Sequence, residues 1–242
     1  MRVPLFLTVI VALQPGPASA QRAAREQAPT VVTAPAKERL EYLNPAQFDP
    51  ARLLPAPPGK GSRGERLELT HLHALRNVAS RERLAQAKWD AAHEDPAIFN
   101  SSVGQDLAKL PNTWALLKIV QNETDLVIGM SKTYFARVRP YGIDPSLAFC
   151  QSGDKLAKSY PSGHSGLGYS VAYALAQLVP DRAPQILARA TDYALSRELC
   201  GAHFPSDTEA SHVVATLSAA ELMADPRLAG RIAAARAELA SR

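Results

Sequence analysis

The chain has 242 residues, with 27 lysines and arginines against 23 acidic residues, two cysteines, 46% hydrophobic and 21% charged positions. That is enough chain for one substantial core. It excludes a chain disordered throughout, a disulfide-dense scaffold and a four-cysteine zinc site. A net charge of +4 suits anionic substrates but is too small and too scattered to argue for nucleic acid.

The first residues read as a secretory signal peptide. Arg2 is a short positive region and residues 3–13 are apolar. Gln14-Pro15-Gly16-Pro17 breaks any helix, and Ala18-Ser19-Ala20 supplies small residues for cleavage after Ala20. The run is too short for a membrane span and no later segment is long enough, so no stable membrane insertion is expected. Outside the reducing cytosol Cys150 and Cys200, the two cysteines present, are expected to pair.

Residues 21–63 are rich in Pro, Ala and charge and predict an extended N-terminal arm. From residue 64 the pattern is helical to the end of the chain. Leu67, Leu69, Leu72, Leu75 and Val78 recur at three- and four-residue steps, and Leu84 and Trp89 continue the pattern after a break. Further helices are predicted over 103–109, 113–120 and 124–138, the last stopped by Pro140. Others are predicted over 165–178 and 183–199. Ser206 reads as an N-cap with Glu209 three residues on, opening a helix to about residue 223. Asp225-Pro226 opens a final Ala-rich helix. It reads as a packed terminal helix, with a homo-oligomer contact as the alternative. No strand pattern competes, so the expected fold is all-α: a single-domain helical bundle over residues 64–242.

Three separated segments carry chemistry. Lys132 and Arg139 are seven apart, which on a continuous helix puts both cations on one face. Pro161-Ser162-Gly163-His164 precedes a periodic helix, where free backbone N–H groups and the positive helix end favour an oxyanion. Ser196-Arg197, His203 and Asp207 supply a planar fork for phosphate, a histidine, and a carboxylate able to hold one ring nitrogen while the other attacks.

Together the pattern is Lys132, six residues, Arg139-Pro140, then 20 residues to Pro161-Ser162-Gly163-His164, then 31 residues to Ser196-Arg197, five residues, His203, three residues, Asp207. It resembles the type 2 phosphatidic acid phosphatase superfamily, which also includes vanadium haloperoxidases. The signal peptide, Tyr42-Leu43, Leu53-Leu54-Pro55-Ala56-Pro57-Pro58 and Cys200-Gly201-Ala202-His203 are similar to the class A bacterial non-specific acid phosphatases. Phe204-Pro205 departs from that group, which has an aromatic and then a polar residue there.

The resemblance implies a periplasmic acid phosphatase of broad specificity acting on small phosphate monoesters. His203 would be the nucleophile that forms a phosphohistidine, and Asp207 would orient it. His164 would protonate the leaving alcohol and later activate water. Lys132, Arg139, Ser162, Gly163 and Arg197 would bind phosphate. Three fixed cations can replace metal ions in a reaction that needs alignment and charge compensation above all, so neither metal nor cofactor is expected. Rival readings are a vanadium-dependent haloperoxidase using the same cage, and a non-catalytic phosphate-binding protein. Residues 141–160 and 98–110 are the loops expected to shape the substrate pocket.

Overall fold

A computed structural model describes residues 39–150 and 155–241. The signal peptide and residues 21–38 of the arm lie outside them. The described chain is all-α: α1 Pro50–Leu53, α2 Arg63–Val78, α3 Arg81–Ala92, α4 Asn100–Val103, α5 Pro111–Phe135, α6 Pro140–Ile143, α7 Gly163–Leu178, α8 Ala183–Leu199, α9 Pro205–Ala224 and α10 Ala229–Ala240, with short 3₁₀ turns between several of them. None of these helices is long and apolar enough to cross a membrane.

α7 is the central element, packed against α5, α8 and α9. Its sequence is apolar or small almost all round, and Leu167, Val171, Ala174 and Leu175 are fully buried, as a helix surrounded by neighbours requires. Gly166 lets α5 come close: a Cβ there would stand 2.0 Å from the Ile128 Cδ1 atom. Ser162, the N-cap of α7, accepts the backbone N–H of Ser165 through its hydroxyl.

α5 runs unbroken where two helices were predicted. The polar stretch at its middle is buried for a tertiary reason. Glu123 accepts the backbone N–H groups of Glu41, Tyr42 and Leu43 at 2.8–3.1 Å, clamping the incoming chain to the helix. Leu43, Phe48 and Leu54 from that chain join the main core. Residues 39–63 therefore supply core side chains.

Three further predicted boundaries are corrected. The helix expected over 103–109 is instead α4 ending at Gly104 (φ 76°), followed by a 3₁₀ turn at Leu107–Lys109 capped by the Asp106 carboxylate. α5 stops at Phe135 rather than at 138, with Ala136 left-handed at the C-cap. Residues 137–139 are then extended, Ser159 donating its N–H to the Arg137 carbonyl and Arg139 donating to that of Leu156. α9 begins at Pro205, not at Ser206: Phe204 is the N-cap and Asp207 the third helical residue, accepting the Phe204 N–H at 2.9 Å. Proline suits this position because the first helical N–H has no partner within the helix, so the departure at Pro205 fits the start of the helix.

Candidate active site

The N-terminal ends of α7 and α9, the C-terminal end of α8 and the last turns of α5 converge on a cavity of about 570 Å³. Its lining includes Lys132, Arg139, Gly163, His164, Arg197 and His203, six of the residues singled out from the sequence. Asp207 stands behind His203. Ser162 is fully buried, its oxygen engaged with Ser165 and its N–H donating to the Asp207 carbonyl. Tyr141, Cys150, Lys155 and Lys158 contribute the rim from the 141–160 loop, whereas no lining residue comes from 98–110.

Lys132 and Arg139 do not share a helix face. Lys132 lies on α5 and donates to the carbonyls of Lys158 and Pro161. Arg139 lies beyond the left-handed Ala136, and the extended segment carries it into the same cavity. Burial and the neighbouring Arg139 lower the Lys132 ammonium to a pKa of about 7.

Arg197, in the last turn of α8, is buried, and its Nε and Nη1 atoms have no hydrogen-bond partner. A buried guanidinium with free donors is costly unless an anion completes it. The chain then turns at Gly201 (φ 65°), where a Cβ would come 2.0 Å from the Leu147 carbonyl oxygen, so only glycine fits. A disulfide between Cys150 and Cys200 ties this turn to the rim loop.

His203 follows, almost fully buried. The Arg139 Nη1 atom lies 2.9 Å from its Nε2. A guanidinium only donates, so Nε2 is an acceptor and the ring proton sits on Nδ1. Nδ1 lies 3.4 Å from the Asp207 Oδ2 atom. Burial, followed by Arg139, Lys132, Arg197 and His164, drives the His203 pKa well below the ordinary histidine value, which keeps the ring neutral.

Asp207 is fully buried, and burial raises its pKa against the opposing pull of Arg137 and of hydrogen bonds from Ser159 and the Phe204 N–H. Arg137 donates to Asp207 Oδ1 at 2.7 Å and to Glu68 Oε2 at 2.6 Å. Ser159 donates to Asp207 Oδ2 at 2.5 Å. On the opposite wall His164 Nδ1 pairs with Glu94 Oε1 at 2.9 Å, and Nε2 lies 3.3 Å from the Ala91 carbonyl. Burial lowers the His164 pKa and Arg197 adds to this, while Glu94 and the Ala91 carbonyl oppose it.

A model described as the PAP2 superfamily matches residues 113–230, the stretch that contains every site residue singled out from the sequence, from Lys132 to Asp207. An acid phosphatase of Zymomonas mobilis subsp. mobilis is 34% identical over 201 residues, which is 79% of this chain and 75% of that protein. The chain belongs to the PAP2 superfamily. Two further relatives are named non-specific acid phosphatase. The one from Providencia stuartii is 31% identical over 84% of this chain and 86% of its own length. That from Salmonella typhimurium is 30% identical over 77% and 78%.

Within this family frame, Arg137, Ser159, Glu68 and Glu94 were not found from the sequence. Arg137 lies between two residues that were, but neither its spacing nor its type distinguishes it from a surface arginine. Glu68 and Glu94 precede the matched region altogether.

Proposed function

We propose that this chain is an acid phosphatase that cleaves small phosphate monoesters through a phosphohistidine on His203, with no metal ion. The observation that carries the reading is the neutral His203 ring, its acceptor nitrogen 2.9 Å from Arg139 in a cavity that Lys132 and Arg197 also line, its other nitrogen 3.4 Å from a buried carboxylate. The relatives' names and the family support phosphatase chemistry on phosphate esters.

Lys132, Arg139 and Arg197 hold the phosphoryl oxygens and offset the charge that builds up on them. The N-terminal end of α7 at Gly163 adds N–H donors and a positive dipole end. The His203 Nε2 lone pair attacks phosphorus as the bond from phosphorus to the ester oxygen breaks. That oxygen takes a proton from His164 and leaves as the alcohol. Water then gives a proton to His164 and attacks phosphorus, the phosphorus–nitrogen bond breaks, and Nε2 regains its lone pair. Asp207 keeps the ring oriented and stabilises the charge it carries while phosphorylated. Residues 1–20 and the Cys150–Cys200 disulfide support export to the periplasm.

Hydrolysis of p-nitrophenyl phosphate in EDTA, wild type against His203→Ala, tests the reading. Expected is wild-type turnover that survives EDTA, is inhibited by vanadate and vanishes in the variant. Turnover abolished by EDTA, or retained by His203→Ala, overturns it.

A further inference from the structure

Among the described residues, the cavity lining has one side chain that works against phosphate. Glu94 lies in the turn after α3, and its carboxylate lines a chamber whose other charged groups are Lys132, Arg139, Lys155, Lys158 and Arg197. A carboxylate there repels a phosphate dianion, so its contribution to ground-state affinity is unfavourable.

Its placement is specific. Gln121 on α5 donates to the Glu94 backbone carbonyl, and Asp95 caps the next turn by accepting the Ala97 N–H at 2.8 Å. The side chain is 47% exposed while His164, which it contacts at 2.9 Å, is only 15% exposed. The other ring nitrogen of His164 faces the Ala91 carbonyl at the C-terminal end of α3. Both nitrogens of His164 thus meet acceptors. A neutral imidazole has a single N–H and can satisfy one of them; the imidazolium satisfies both.

We infer that Glu94 is a positioning residue for His164, fixing the ring through Nδ1 and favouring its protonated form against the burial and cations that oppose it, so that it can protonate the departing oxygen. The inference rests on the phosphohistidine reading above. The proton passes from the imidazolium to the ester oxygen as the phosphorus–oxygen bond breaks, and the neutral ring keeps one N–H.

Besides Glu94, the Ala91 carbonyl favours protonation; Arg197 opposes it. Arg197 comes from α8 together with Tyr193, whose ring stacks on His164 with centroids 5.8 Å apart. His203 precedes α9, and Lys132 and Arg139 share the cavity. Among the described residues, Glu94 is the acidic side chain in the cavity lining. Removing its charge lowers the His164 pKa, so the ring loses its proton at a lower pH.

The test compares wild type, Glu94→Gln, Glu94→Asp and His164→Ala on two esters over a pH series. In p-nitrophenyl phosphate the leaving oxygen departs without much help from an acid; in glycerol 2-phosphate it needs a proton. Glu94→Gln is expected to lose about tenfold more kcat/KM on glycerol 2-phosphate than on p-nitrophenyl phosphate, a fraction of the range for general acids. The alkaline limb of its pH profile is expected to move to lower pH, and Glu94→Asp to recover part of both effects. His164→Ala is expected to show the same substrate dependence, larger. Equal losses on both esters with an unmoved limb overturn the inference, as does a gain on both, which would make Glu94 only a source of repulsion. If His164→Ala shows the substrate dependence and Glu94→Gln does not, the inference alone fails. If neither does, the assignment of His164 as the acid fails with it.

Discussion

Two histidines face each other across one cavity, and each has a carboxylate on Nδ1. Their surroundings differ. Asp207 has no exposed surface and is enclosed by Arg137, Ser159 and the Phe204 N–H, whereas Glu94 lines the cavity, half exposed, and pairs with His164. The enclosed pair holds a neutral ring with a fixed lone pair, which is what a nucleophile needs. The open pair favours a ring that gains and loses a proton each turnover. The chemistry of a His–carboxylate pair is thus decided by what surrounds the carboxylate.

The comparison breaks first at Asp207. Asp207→Asn replaces the carboxylate charge that stands 3.4 Å from Nδ1 with a neutral amide, and the His203 ring loses the group that orients it. A drop in kcat of about 10³-fold is expected, read by steady-state kinetics on any monoester. A variant within tenfold of wild type would mean that the enclosure does not matter to catalysis.

Arg137→Met sharpens the same point on stability. It leaves Glu68 and the buried Asp207 without their shared cation, and losing one partner of a buried pair costs about 3–5 kcal/mol. Thermal or urea melts should show a large loss for Arg137→Met and only a small one for Glu94→Gln, whose pair is half open to solvent. Equal losses would erase the difference between the two walls.

The smallest effect is on binding at alkaline pH. The lowered pKa of Lys132 means that it carries its charge below about pH 7 and sheds it above. KM for phosphate esters, and the inhibition constant for inorganic phosphate, are expected to rise as pH passes through that value. Lys132→Arg, which stays charged, should flatten the rise. A KM that is level across this range would contradict the role of Lys132 as an anion ligand.

The sequence carried much of the nucleophile side. His203 and Asp207 are four apart, a spacing that a short helix start brings together, and the cations sit in motifs beside turn and helix-start residues. The second wall was not legible. Glu94 and His164 are 70 positions apart by number, and tertiary packing brings them into contact: α3 against α8, α8 against α7, and the turn at Pro96–Phe99 against α7. Three of the corrected boundaries share one cause. Glu123 looks like a helix break until its backbone partners at 41–43 are known. Residues 136–138 look helical until Leu156 and Ser159 pair with Arg139 and Arg137. Ser206 looks like a cap, yet its hydroxyl accepts from Arg137 while Asp207 does the capping. Each is a tertiary partner overriding a local preference.

The most direct measurement is rapid acid-free quenching of the enzyme during turnover of a ³²P-labelled monoester, followed by mapping of the labelled peptide. The account predicts a base-stable, acid-labile phosphoryl group on His203 that forms and decays at rates consistent with kcat and is absent from His203→Ala. Steady turnover with no label on His203, or label on another residue, would contradict it.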